Sequence, residues 1–166
     1  MLRAGIFSTY LPVICVISGI AYNTTVAVAL VLLDTNVLVA GLRSRNGAAF
    51  RLLSLVGTGR FEICLSVPVV LEYETVLLDQ VEQLLLTASD VGDLLDYFCH
   101  VGKQQEVHYL WRPFLKDPKD DLILEAAIAG GCEAIITYNR RDFTGAEKFG
   151  VRVLTPGQFL KRIGEL

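Results

Sequence analysis

No two cysteines of this chain are spaced as C-x-x-C: Cys15, Cys64, Cys99 and Cys132 lie far apart along its 166 residues. That spacing excludes a zinc knuckle and a disulfide framework from the expectation. Cys64 and Cys132 stand beside apolar runs and read as buried free thiols, which makes a reducing cytoplasm the expected compartment. Histidine is scarce as well, and neither His100 nor His108 has a second nitrogen ligand nearby, so imidazole metal chemistry is not indicated. Excess basic charge is lacking: the formal net charge is −3 and the pI about 5.4, so no global field announces nucleic acid. An acidic metal centre would itself produce such a balance. A local basic groove remains available from Arg43, Arg45, Arg51 and Arg60, with Arg140 and Arg141 far downstream, although each also reads as an ordinary solvated arginine. Repeats and low-complexity linkers are absent, and the apolar content suffices for one domain with a real core.

The N-terminus lacks charge entirely between Arg3 and Asp34. Tyr10–Tyr22 is strongly apolar, and three readings fit it: a signal peptide with an A-x-A site at Ala27-Val28-Ala29, a membrane anchor diluted by Pro12, Ser18, Gly19 and Asn23, or an extension ahead of the true translation start. The last is the adopted expectation, because cleavage after Ala29 would cut into the strand that delivers Asp34. Residues 1–25 are therefore set apart as an extension and 26–166 as the functional domain, with no membrane partner expected.

Beyond that segment, apolar runs alternate with helical spacing. Strands are expected at Val26–Leu33, Phe61–Leu65, Ala134–Thr137 and Val151–Leu154, with a weaker candidate at Val107–Trp111. Helices are expected over Gly47–Leu55, from a Ser66 cap to about Leu78, and in one or two pieces over Gln80–His100, where Ser89 is the candidate cap. Two more are expected over Asp117–Gly130 and Pro156–Ile163. Such alternation implies a parallel sheet covered on both faces, an α/β/α sandwich whose ligands bind beyond the carboxyl ends of the strands.

What the chain does have is acid at the ends of apolar segments. Asp34, followed by Thr35 and Asn36, closes the first strand, where a cap accounts for one polar residue but not three in a row. Glu72 lies mid-helix on the side that shares Pro68, Thr75 and Val76, whereas Glu74 lies about 200° round and reads as solvated. Facing a sheet edge, Glu72 requires a cation or a proton; the bland alternative is an exposed surface glutamate. In Asp117-Pro118-Lys119-Asp120-Asp121, Asp117 suits the cap, Pro118 the first position, and Asp120 the position that bonds back to the cap. Asp121 then has no structural task, and it is the expected ligand with Asp120 in reserve. Thr137, Asn139 and Asp142 follow a late strand, either as turn residues or as oxygen donors, beside Arg140 and Arg141, which suit phosphate. Carboxylates gathered with open positions for water suit a hard cation such as Mg²⁺ or Mn²⁺.

These segments together resemble the PIN-domain family, and closely its VapC-like toxin components of toxin–antitoxin operons. The matching pieces are VLLDTNVLVA at Val31–Ala40, LSVPVVLEY at Leu65–Tyr73, DPKDDLILEAA at Asp117–Ala127, IITYNRRDF at Ile135–Phe143 and VRVLTPGQF at Val151–Phe159. The resemblance implies a Mg²⁺- or Mn²⁺-dependent endoribonuclease cutting single-stranded RNA. It places an acidic quartet on Asp34, Glu72, Asp121 and Asp142, supported by Thr35, Asn36, Thr137 and Asn139. It also implies a cognate antitoxin protein and a homodimer as partners. Apolar residues within Val81–Leu95 serve equally as a partner surface or as a core helix pair. Two rivals remain: an inactive PIN-like module that binds RNA or protein, and a receiver-like phospho-acceptor, which would need its paired acids directly after the first strand.

Overall fold

A computed structural model describes residues 28–110 and 112–166. The expected N-terminal extension, and the first two residues of the expected Val26–Leu33 strand, lie outside them. Five strands, β1 (Leu30–Leu33), β2 (Glu62–Leu65), β3 (Lys103–Gln104), β4 (Ala134–Ile136) and β5 (Arg152–Leu154), form one sheet in the order β3-β2-β1-β4-β5. Every pairing is parallel. Val31, Leu32 and Leu33 are at most 1% exposed, and because neighbouring strand residues point to opposite faces, both faces of β1 are covered. This is the expected α/β sandwich.

The helices are α1 (Thr35–Arg43), α2 (Ala48–Ser54), α3 (Val67–Leu78), α4 (Val81–Leu84), α5 (Ala88–Val101), α6 (Pro118–Gly130) and α7 (Pro156–Arg162), with a 3₁₀ turn at Ala146–Phe149. Ser66 caps α3 as expected, accepting a hydrogen bond from the Val69 amide with Pro68 in the first turn. Two local expectations are corrected. Thr87, not Ser89, caps α5: its hydroxyl accepts from the Asp90 amide at 3.2 Å while the Asp90 carboxylate accepts from the Thr87 amide at 2.7 Å. That reciprocal pair satisfies two end groups at once, which a serine already inside the helix does not. The edge strand is Lys103–Gln104, paired through Cys64–Lys103 and Leu65–Gln104; of the expected Val107–Trp111 strand, Val107–Leu110 form none and Trp111 lies outside the described residues. Gly102 makes the early entry possible, since a Cβ there would stand 2.7 Å from the Phe98 carbonyl and 2.8 Å from Leu65 Cδ1.

The core runs from Phe61 and Phe159, edge to face at 5.3 Å, through Leu32, Leu52 and Leu77 to Phe98 and Phe143. In α4 and α5, Leu84, Val91, Leu94, Leu95 and Phe98 are buried in this core. Leu85, 92% exposed, is the large apolar side chain of that stretch left in solvent. No helix among the described residues is long and apolar enough to cross a membrane.

Candidate active site

Because the strands run parallel, β1 and β4 end at one edge, in register at Leu33–Ile136. The Asp34 amide donates to the Ile136 carbonyl at 2.9 Å, and the Thr137 amide to the Leu154 carbonyl at 2.9 Å. The sheet's own hydrogen bonding thus sets Asp34 and Thr137 side by side. Asp34, 8% exposed, accepts hydrogen bonds from Thr137 Oγ1 and Asn36 Nδ2, each at 2.6 Å. Asn36 Nδ2 also reaches Thr137 Oγ1 at 3.1 Å, and its Oδ1 accepts from the Tyr138 amide at 3.2 Å. The Asn139 amide donates to Thr137 Oγ1 at 2.9 Å. Burial raises the proton affinity of Asp34, while the Thr137 hydroxyl and the amides of Asn36 and Thr35 pull the other way.

Of the two neighbouring acids it is Asp121, not Asp120, that bonds to backbone amides. Asp117 caps α6 through the Lys119 amide at 2.9 Å. Asp121, 2% exposed, is held by backbone amides of the preceding loop, Leu115 at 2.7 Å and Phe114 at 3.3 Å. It therefore has a structural task, contrary to expectation. The Asp120 carboxylate bonds back to no cap and makes no hydrogen bond among the described residues. Its pKa is pushed up to about 6, first by partial burial and then by the charges of Asp34, Asp117, Asp142 and Asp121. Asp120 is the acid that senses the others.

Glu72 is mostly buried and accepts a hydrogen bond from Lys119 Nζ at 2.9 Å, next in sequence to Asp120, while Glu74 is exposed. Donating to Glu72 raises the Lys119 pKa. Tyr73, missed in the sequence, fixes this turn of α3: its buried hydroxyl donates to the Leu33 carbonyl, one residue before Asp34. Burial and the charge of Asp34 raise the Tyr73 pKa far above the phenol range, so it acts as a donor only. The signal available in the sequence was a tyrosine inside an otherwise aliphatic helical stripe.

Asp142 is exposed and lines an open groove of about 550 Å³ with Tyr138, Asn139, Arg140, Arg141 and Thr144. Arg140 Nε donates to the Val153 carbonyl at 3.1 Å, and the Arg141 side chain has no partner among the described residues. Of the other arginines, Arg43 bonds Gln80 at 3.1 Å and Arg45 is exposed, whereas Arg51 and Arg60 both pair with Glu165 near the C-terminus. The last two hold the C-terminal residues rather than a groove. A half-buried pair also escaped the sequence reading: the partly exposed Arg112 grips the buried Glu125 carboxylate through Nε and Nη at 3.0–3.2 Å. Among the described residues no three His, Cys, Asp or Glu side chains stand close enough to share one ion, so the acids are grouped but not closed upon one another.

A PIN-domain family model matches residues 30–141, well over half of the chain. The chain belongs to the PIN-domain family. Its fold is also that of one chain in the crystal structure of VapBC2 from Rickettsia felis bound to a DNA fragment from their promoter. The TM-score is 0.51 at 15% identity, covering 76% of this chain and 98% of that one. No match was found among curated proteins. In this PIN domain Asp120 lies within electrostatic reach of Asp34 and of Asp142, and Glu72 and Asp121 stand on the flanking helices.

Proposed function

We propose that this PIN domain is a metal-dependent endoribonuclease that hydrolyses phosphodiester bonds of single-stranded RNA, and that it is the toxin of a toxin–antitoxin pair. The observation that carries the reading is the buried Asp34 carboxylate at the carboxyl edge of the sheet, held by Thr137 Oγ1 and Asn36 Nδ2 at 2.6 Å each, beside Asp120, whose proton affinity is raised in part by Asp34 and Asp142. Carboxylates held near one another at the carboxyl edge of a parallel sheet serve no packing purpose. The donor set fits a hard divalent cation: carboxylate oxygens and the Thr137, Asn36 and Asn139 groups around them, with no thiolate or imidazole.

Asp34, Asp121 and Asp142 are the residues assigned to hold the ion, with Glu72 as a further ligand or as acceptor of the attacking water's proton. The loop amides that bond Asp121 orient its carboxylate, and Asp120, with no hydrogen bond among the described residues, stands beside it in reserve. A bound Mg²⁺ or Mn²⁺ would neutralise the carboxylates and acidify an attacking water. The chain's own contribution is positional. Thr137 and Asn36 orient Asp34, Tyr73 fixes the turn that carries Glu72, and Glu72 accepts a proton once Lys119 swings aside. Arg140 and Arg141 supply phosphate contacts, with Arg43 and Arg45 as weaker candidates. A cognate antitoxin and a homodimer belong to the same proposal.

The Lys119–Glu72 ion pair at 2.9 Å favours a second reading, a PIN-like module that binds RNA or protein without cutting it. One assay separates the two: cleavage of a single-stranded RNA with Mg²⁺ or Mn²⁺, comparing wild type with Asp34→Asn. We expect the variant to lose at least about a hundredfold in rate, the scale of removing one principal electrostatic group. Equal rates in both proteins refute the nuclease assignment.

A further inference from the structure

The groove beside the acids carries an aromatic ring that neither packing nor the proposed chemistry uses. Tyr138 directly follows Thr137, and its amide donates to Asn36 Oδ1 at 3.2 Å. The same Asn36 donates to Asp34 at 2.6 Å, so the backbone of Tyr138 belongs to one hydrogen-bonded unit with the buried carboxylate. The side chain does not follow the backbone inward. It is 46% exposed, although β4 immediately before it is buried throughout, and its hydroxyl has no partner among the described residues.

We propose that Tyr138 is the stacking platform for one nucleobase of single-stranded RNA adjacent to the cleaved phosphodiester, an inference that rests on the ribonuclease reading of this site. Two features favour a base over an apolar protein partner. The ring shares its groove with Arg140 and Arg141, which match phosphates on either side of a stacked base. Next to Thr144, Gly145 abuts Phe114, which meets Phe149 at 5.1 Å and has Lys148 Nζ 5.9 Å from its centroid. Aromatic faces alternating with cations are the mark of a single-strand path, and an unpaired strand alone presents a free base face to such a ring. Every base has that face, so Tyr138 holds register without dictating sequence.

The test measures binding and turnover separately. A fluorescein-labelled single-stranded RNA octamer is titrated by anisotropy in Ca²⁺, and cleavage is followed in Mg²⁺ or Mn²⁺. Tyr138→Ala is expected to raise Kd and KM about five- to twentyfold, the lower range for losing one stacked base at an exposed site, with kcat changed less than about twofold. Tyr138→Phe keeps the ring and is expected to match wild type. Tyr138→Leu keeps apolar bulk without a π-face and is expected to behave as alanine does, which also covers an alanine variant that fails to fold. In a series of octamers with a single abasic residue, one position should abolish the difference between wild type and Tyr138→Leu. Unchanged affinity in Tyr138→Ala and Tyr138→Leu, or a loss that no abasic position removes, overturns the proposal, as does failure of wild type to bind the octamer. Tyr138-dependent binding without cleavage would instead sink the nuclease reading and leave the stacking site standing.

Discussion

At the scale of single residues, the adjacent acids Asp120 and Asp121 carry the most. The folded-state pKa of Asp120 lies near 6 against an ordinary 3.8. Between those values the folded protein keeps a proton that the unfolded chain releases, so this group's contribution to stability falls as pH rises from about 4 to about 6. Above that window the full penalty stands. Asp120→Asn removes it, and the variant is expected to be more stable than wild type by about 1 kcal/mol at pH 7.5, a modest figure because solvent screens a half-exposed group. At pH 4 the two proteins should coincide. Urea midpoints at the two pH values check this, and a variant destabilised at pH 7.5 would show that Asp120 is not held against its neighbours. Capping rules applied to the sequence missed the hydrogen-bonding task of Asp121 for a definite reason. The partners of Asp121 are the amides of Phe114 and Leu115, supplied by an irregular loop whose path leaves no periodic trace in the sequence. Asp34 was legible because it closes a buried β-branched and aliphatic strand, where a carboxylate has no packing role.

Among elements, that loop and α6 form the least foreseeable unit. Asp121 and Glu125, one turn apart on α6, face the same segment: Asp121 takes two of its amides and Glu125 takes the Arg112 guanidinium. The loop is thereby tied across the helix whose first turn presents Asp120. Arg112→Ala removes three charge-assisted hydrogen bonds to a buried carboxylate and is expected to cost about 2 kcal/mol, less than a fully buried pair would because Arg112 is partly exposed. Limited proteolysis should then cut within residues 105–117 first, since local opening precedes global unfolding when local ties are lost. Unfolding free energy unchanged within about 0.5 kcal/mol would mean the pair adds nothing net. The main strands and helices were readable from apolar runs, caps and glycine stops, as in Val31–Leu33, Ser66 and Gly131. β3 was not. Lys103 and Gln104 are both exposed and carry no pattern; they pair because α5 delivers them beside β2, a tertiary cause.

For the molecule as a whole, the net charge of −3 hides an uneven distribution. Glu165 is matched by Arg51 and Arg60, and Glu133 by Arg152 and Arg162, so those acids are balanced where they stand. At the carboxyl edge of the sheet acids meet without such matching, and Asp120 feels Asp34, Asp117, Asp142 and Asp121 together. A cation drawn to that edge binds the folded chain and not the unfolded one, because only folding assembles the donors; at about a hundred times Kd this adds about 2.7 kcal/mol. For a domain of this size the thermal midpoint should rise by about 5–10 °C in saturating Mg²⁺ or Mn²⁺ at pH 7.5. The same addition at pH 5 should give a smaller rise, since Asp120 then holds a proton that the ion must displace. In Asp34→Asn/Asp120→Asn the rise should vanish. Sodium chloride at matched ionic strength controls for screening. A midpoint that rises equally in the double variant, or equally at both pH values, would place any cation elsewhere on the surface and detach the acidic edge from metal binding altogether.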